Sequence, residues 1–261
     1  MSIRVCVAGA TGWTGSAVTQ GILRDDTFEL VGAVARSAAG KDMGGVTICA
    51  TLAEALQTPT DVLIDYTGAG PVKDHVLYAI ERGIAVVVGS SGMTAADYDD
   101  IAAKAEEKGV GVVGGGNFSV TATMMQHLAL IAAQHIPQFE VLDFAWAEKE
   151  DVPSGTAREL AEKLGDVQKP KQALAIESLH GPAETRGANI NGVQVHSVRL
   201  PGYKLRCEAV FGMEGERLSV VHEAGQSAEP YVSGTLLAAK MSVDVKGLVR
   251  GLDALLFAND G

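Results

Sequence analysis

Ile3-Arg4-Val5-Cys6-Val7-Ala8-Gly9-Ala10-Thr11-Gly12-Trp13-Thr14-Gly15 is the stretch whose reading decides the fold. Ile3–Ala8 is a short apolar run rich in valine and reads as a buried parallel strand. Three glycines follow at once in the spacing GxxGxxG, and residues 16–24 read as a helix. Glycine lets the backbone turn tightly and approach a pyrophosphate closely. The free N–H groups of the following helix turn, and its dipole, then favour the anion. A glycine pattern alone is weak; a strand directly before it and a helix directly after it make it a nucleotide-binding signal.

The same rhythm continues outward. Residues 28–35, 61–65, Ala85–Val88 and 110–113 read as further strands, with helices at 52–56, 72–82 and Ala95–Lys108 between them. Such alternation means βαβ units and a parallel sheet. After Asn117 the rhythm changes. Val120–His135 reads as a long helix, 141–147 as a strand, and 154–164 as a helix whose start is marked by Pro153 and Ser154. Residues 190–200, Leu205–Met213 and 217–223 look like antiparallel strands, and 230–241 and 245–257 like closing helices. The expected fold is α/β: a Rossmann-type parallel-sheet domain plus an α+β domain with a mostly antiparallel sheet. The expected boundaries are 1–117 for dinucleotide binding, with helices in 227–261 packing back on it, and 118–226 for substrate binding and oligomerisation.

Composition narrows the function. The chain of 261 residues has 21 basic against 32 acidic residues, a formal charge of −11. Such a surface repels phosphate backbones and anionic lipid, so neither nucleic acid nor membrane is an expected partner. A small anionic ligand is still compatible with a local basic pocket. Cys6, Cys49 and Cys207 are scattered without CxxC or metal-ligand spacing, which suits buried free thiols in a reducing compartment and no metal site. Met1-Ser2-Ile3-Arg4 runs straight into a strand without the pattern of a signal peptide, and the expected location is cytoplasmic. There is no GxSxG elbow and no Walker lysine after the glycine loop.

The end of the second strand is where an adenosine ribose sits in this fold. An acid there holds the 2′-hydroxyl of NAD. This chain has Ala35 followed by Arg36 and Ser37, and an arginine with a hydroxyl partner suits a 2′-phosphate. NADPH is therefore the preferred cofactor, with NADH possible; the plainer alternative is that Arg36 is a solvated loop charge and both are accepted.

Further motifs follow in order: Asp65-Tyr66-Thr67, Gly89-Ser90-Ser91-Gly92, Gly116-Asn117-Phe118-Ser119, and Lys149-Glu150-Asp151-Val152-Pro153-Ser154-Gly155-Thr156-Ala157. Arg186-Gly187, Val195-His196-Ser197-Val198-Arg199 and Gly215-Glu216-Arg217-Leu218 complete the set. Together they resemble the 4-hydroxy-tetrahydrodipicolinate reductase (dihydrodipicolinate reductase) family of lysine and diaminopimelate biosynthesis, over essentially the whole chain. KxDxPSGTA is the most specific piece. The resemblance implies an NAD(P)H-dependent reductase, a homotetramer built through the second domain's sheet, and a cofactor lying along Gly9, Thr11, Gly12, Trp13, Thr14, Gly15, Arg36, Ser37, Tyr66, Thr67, Gly89, Ser90, Ser91, Asn117 and Phe118. It places a dicarboxylate substrate against Lys149, as the catalytic residue, and against Ser154, Gly155 and Thr156. The residues agree: Ser154-Gly155-Thr156 opens a helix whose N–H groups can hold a carboxylate, and Lys149 adds a point charge. The alternatives are a simple N-cap for Ser154 and a surface role for Lys149.

In one place the chain departs from that family. A pair of adjacent histidines normally precedes the lysine, as in HHxxK. Here the stretch is Ala145-Trp146-Ala147-Glu148-Lys149. Trp146, expected to line the substrate site, offers an aromatic face and an N–H donor but no acid. Either the family substrate is still reduced, with Lys149 supplying proton and charge, or the pocket is rebuilt for another imine or unsaturated carbonyl compound. A non-catalytic NADPH sensor is a third reading. His75, His127 and His135 fall in helix-like segments and read as surface or packing residues; His196 and His222 read as structural or interface residues.

Overall fold

The computed structural model describes residues 2–257. In chain order the elements are β1 (Ile3–Ala8), α1 (Trp13–Arg24), β2 (Phe28–Val34), β3 (Asp42–Met43), β4 (Val46–Cys49), α2 (Leu52–Ala55), β5 (Val62–Asp65), α3 (Val72–Ile80), β6 (Ala85–Val88), α4 (Ala95–Lys108) and β7 (Gly111–Gly114). They continue with α5 (Val120–His135), β8 (Phe139–Ala145), α6 (Gly155–Val167), β9 (Ala188–Ile190), β10 (Val193–Arg199), β11 (Leu205–Met213), β12 (Glu216–Ala224), α7 (Val232–Ser242), β13 (Gly247–Arg250) and α8 (Asp253–Leu256). The chain forms two compact units. One runs up to Val120 and resumes at Ala228; the other spans Thr121–Ser227.

The first unit holds an eight-stranded sheet in the order β13-β7-β6-β5-β1-β2-β4-β3. Its pairs are parallel apart from the short β3–β4 hairpin. The central strands are apolar on both sides because both faces are covered. Val5, Val7, Ile64 and Val87 pack on one face with Val18 and Ile22 of α1 and Ala238 and Ala239 of α7. Cys6, Ala8, Leu63 and Val86 pack on the other with Val76 and Ile80 of α3 and Ile101 of α4. Strand order reverses between β1 and β5, and ligands bind outside the carboxyl ends of the strands at such a switch point.

The second unit has a five-stranded sheet in the order β12-β11-β8-β10-β9. Only β8 and β10 run parallel within it. Side chains alternate along β8, so Phe139 and Val141 face the core with Phe211 of β11, Leu160 and Leu164 of α6, and Ala129 of α5. Glu140, Leu142 and Phe144 lie on the opposite face and are half-buried.

Several elements differ from the expectations. Helix α1 starts at Trp13 rather than residue 16, because Gly12 is already its extended N-cap. Strand β8 stops at Ala145, which leaves Trp146 and Ala147 in the following turn. The expected strand 190–200 is broken by Asn191 (φ 51°) and Gly192 (φ 89°), a left-handed pair that makes β9 and β10 a tight hairpin. The expected helix 245–257 is instead β13 and one short helical turn. The N–H of Gly247 donates to the Val110 carbonyl (3.1 Å) and that of Gly251 to the Gly114 carbonyl (2.8 Å), so the segment extends the sheet beside β7. Gly247-Leu248-Val249-Arg250 is too short to reveal its period, and here pairing rather than periodicity decided the outcome. Cys6 and Cys207 are buried, and burial pushes both thiols up to about 12, so they stay protonated; Cys49 is only partly buried.

Candidate active site

The glycine loop leaves β1 at the switch point. Gly9 has φ +81°, and a side chain there would collide with the Tyr66 carbonyl at the end of β5; one on Gly15 would collide with the Gly9 carbonyl. No side chain caps α1 at Gly12, so its first-turn N–H groups are left for a ligand anion. Beside the loop lies a cleft of about 800 Å³. Gly9, Thr11, Val34, Ala35, Arg36, Ser37 and Thr67 line it, together with the turn from Gly68 to Pro71 and His75 of α3. The structure therefore brings five of the expected cofactor residues onto one cleft: Gly9, Thr11, Arg36, Ser37 and Thr67.

The remaining ones lie elsewhere. Trp13 is exposed at the start of α1, edge-on to Tyr231 at 5.9 Å. Thr14 is half-buried in the first turn of α1. The Tyr66 side chain turns into the protein. Its hydroxyl shares a 2.7 Å hydrogen bond with Thr235, its ring meets Phe118 edge-on, and any side chain at Gly89 would strike that ring. Burial pushes the Tyr66 phenol well above its ordinary value, so it stays protonated. Phe118 is buried, the Asn117 Oδ1 accepts from the Ser119 N–H at 2.8 Å, and Ser91 is exposed. Tyr66, Gly89 and Phe118 thus pack against one another, and none of them lines the cleft.

Sequence reasoning missed the hub under this cleft. Asp65, fully buried at the end of β5, collects four donors. Its Oδ1 accepts from the Thr67 N–H (2.9 Å), the Thr67 hydroxyl (2.6 Å) and the Ser90 hydroxyl (2.6 Å). Its Oδ2 lies 2.8 Å from His75 Nδ1. Ser90, expected to touch cofactor, is thereby committed to Asp65. His75, read from sequence as a surface or packing residue, lines the cleft instead. A charged residue in an otherwise apolar central strand was the available signal.

In the second unit the KxDxPSGTA segment connects β8 to α6. Lys149 Nζ is 2.5 Å from Asp151 Oδ1 and 5.2 Å from the centre of the Trp146 ring. Burial opposes ionisation of Asp151, but Lys149, a backbone hydrogen bond and the Arg199 charge together outweigh it and hold the carboxyl below its ordinary range. Ser154 caps α6: its Oγ accepts from the Ala157 N–H at 3.3 Å and donates to Asp143 Oδ1 at 2.8 Å. Its own N–H donates to Asp143 Oδ2 at 2.9 Å. The Ser154 side chain is thus an N-cap, while Gly155 is exposed and open space lies where a side chain would stand. Arg199, at the end of β10, closes the network by donating through Nη2 to Asp143 Oδ2 and to the Asp151 carbonyl, both at 2.7 Å. One buried carboxylate therefore fixes the turn at 154–156 and, through Arg199, the loop that carries Lys149.

Comparison with known proteins adds the family. A sequence model described as "Dihydrodipicolinate reductase, N-terminus" matches residues 3–118, and one described as "Dihydrodipicolinate reductase, C-terminus" matches residues 120–256. The chain belongs to the dihydrodipicolinate reductase family. It is an NAD(P)H-dependent oxidoreductase that acts on a small molecule. It is 36% identical over 265 residues to the 4-hydroxy-tetrahydrodipicolinate reductase of Moorella thermoacetica, covering 98% of both chains. The enzyme of that name from Streptococcus thermophilus is 33% identical over 98% of this chain and 100% of its own. Among solved structures, a dipicolinate-bound dihydrodipicolinate reductase from Paenisporosarcina sp. TG-14 superposes with a TM-score of 0.88 at 27% identity, covering 98% of this chain and 100% of that one. In this family member Ala145 is fully buried at the end of β8, and Trp146 packs on Lys149 in the turn that follows.

Proposed function

We propose that this chain reduces 4-hydroxy-tetrahydrodipicolinate to tetrahydrodipicolinate, with loss of water, in lysine and diaminopimelate biosynthesis. The observation that carries this reading is the turn at Ser154-Gly155-Thr156, held by Asp143 beside Lys149, in a chain similar over its full length to reductases of that name. The first unit is the cofactor domain and the second binds substrate. A bound nicotinamide supplies the hydride to the unsaturated carbon. The Gly155 end of α6 holds a substrate carboxylate through backbone N–H groups and the helix dipole. The Lys149 ammonium neutralises charge on the substrate and stands ready to deliver a proton. Asp151 keeps that ammonium in place until substrate arrives. Trp146 contributes an aromatic wall and a cation–π contact to Lys149 in place of imidazole.

The test is NADPH oxidation with the substrate generated in situ from aspartate semialdehyde and pyruvate by its synthase. Turnover well above background is expected. Its absence, from protein that still binds NADPH, would overturn the reading and favour a pocket rebuilt around Ala145 and Trp146 for another imine.

NADPH is the proposed cofactor, with NADH accepted more weakly. Arg36 and Ser37 supply the phosphate-binding groups at the end of β2, in a cleft without an acidic lining residue. Replacing Arg36 by Ala is expected to raise the KM for NADPH about tenfold while changing that for NADH less than twofold. Steady-state kinetics with both cofactors checks this; equal effects would reject the 2′-phosphate role. A homotetramer formed through the open face of the five-stranded sheet is proposed as well. Half-buried Leu142, Phe144 and Val210 on that face support it. Among the described residues no helix is long and apolar enough to cross a membrane, which suits the proposed cytoplasmic location.

A further inference from the structure

Thirteen residues line the cleft beside the glycine loop, and the ionisable side chains among them are Arg36 and His75. Both carry positive or no charge, on a chain whose formal charge is −11. His75 is set in place more firmly than a surface residue would be. It stands one turn into α3, its side chain is 19% exposed, and its Nδ1 is 2.8 Å from the Oδ2 of fully buried Asp65. Asp65 already receives three other hydrogen bonds, from Thr67 and Ser90. A carboxylate with four donors converging on it acts purely as acceptor, so the shared proton sits on Nδ1. That fixes the ring and its tautomer in the manner of an oriented histidine. Its other nitrogen, Nε2, has no hydrogen-bond partner among the described residues.

We propose that His75 is a cofactor-specificity residue, which binds the adenosine 2′-phosphate of NADPH through Nε2 in the same cleft as Arg36. A phosphate dianion holds the second ring proton on Nε2 and accepts a charge-assisted hydrogen bond from it, while Asp65 accepts from Nδ1 on the far side. A ribose hydroxyl offers no such charge, so NADH gains much less. Thr67 and Ser90 are bound to the same carboxylate, and the buried hub sets the position of the ring relative to β5 and β6. The inference rests on the NADPH reading above and adds a residue that the βαβ pattern does not point to.

The test uses 2′,5′-ADP and 5′-AMP, the adenosine ends of the two cofactors, with titration calorimetry on the full chain. His75→Asn keeps an amide N–H for Asp65 but removes Nε2. It is expected to weaken 2′,5′-ADP about tenfold or more while leaving 5′-AMP within about twofold. A second measurement needs no variant: on adding 2′,5′-ADP to wild-type protein, the Nε2 nitrogen resonance of His75 shifts as the hydrogen bond to phosphate forms, and on adding 5′-AMP it does not. Equal losses for both nucleotides, or no loss, overturn the proposal, as does an unmoved Nε2 resonance at saturation. Wild-type protein that fails to prefer 2′,5′-ADP overturns the NADPH reading and this inference with it; a preference that survives His75→Asn overturns this inference alone.

Discussion

Replacing Lys149 by Ala is expected to lower kcat by about 10²- to 10⁴-fold, the range of a lost general acid, while leaving the affinity for NADPH unchanged. Lys149 belongs to the unit Thr121–Ser227, and the glycine loop and its cleft belong to the other, so the variant alters no cofactor-lining group. The fold tolerates the change. Asp151, the partner left behind, is half-exposed and is solvated by water once the ammonium is gone. Trp146 loses a cation–π contact but keeps its backbone turn, in which the Lys149 N–H donates to the Trp146 carbonyl at 3.2 Å. Single-turnover hydride transfer separates the outcomes. A chemical step slowed a hundredfold or more supports proton delivery. A raised KM with an unchanged chemical step reduces Lys149 to a charge clamp. Unchanged kinetics throughout would remove it from the site. This matters more here than in a chain with the family's two histidines, because Ala145 and Trp146 offer no acid to take over.

What the sequence made legible follows from the range of the interactions involved. The β1–glycine loop–α1 unit is local: a valine-rich strand, three glycines and a helix announce themselves within thirteen residues. Ala85–Val88, Ala95–Lys108 and Leu205–Met213 were equally plain, since a buried strand, a capped amphipathic helix ending at Gly109 and a long alternating strand each carry their own signal. Strand β13 did not, because its identity depends on the β7 edge more than a hundred residues earlier. Short β4 was missed because it is defined by two residue pairs with β2 and two with the two-residue β3, too few to leave an alternating pattern.

The candidate site divides along the same line. Arg36, Thr67 and Lys149 could be named from position after a strand or from a motif. Asp65 and His75 are ten residues apart, and nothing in their spacing says that one turn of α3 returns the imidazole to the end of β5. Arg199 stood within a recognised motif without a role, because its partners lie on β8 and in the loop after it. Sequence placed the groups that meet a ligand better than the groups that hold them.

Replacing Asp143 by Ala is expected to destabilise the chain by about 3–5 kcal/mol, the cost of leaving one partner of a buried ion pair uncompensated. Asp143 is 2% exposed and Arg199 13%. The Arg199 Nε is buried with no partner among the described residues, so the bond from Nη2 to Asp143 is the main compensation for burying that charge. The same change frees Ser154, whose N–H and hydroxyl both donate to Asp143, and Ser197, whose hydroxyl donates to it at 3.1 Å. Two effects should therefore appear together: a lower urea midpoint and a raised KM for the substrate, because the turn at 154–156 no longer has one fixed position. They part in the double variant Asp143→Ala with Arg199→Met. Removing the stranded charge is expected to restore most of the stability, since apolar replacement of a whole buried pair is often neutral. KM stays high, because nothing then orients Ser154 or anchors the Asp151 carbonyl. A double variant that regains both stability and KM would mean that the Asp143–Arg199 pair serves folding alone, and that the capped end of α6 holds its geometry without it.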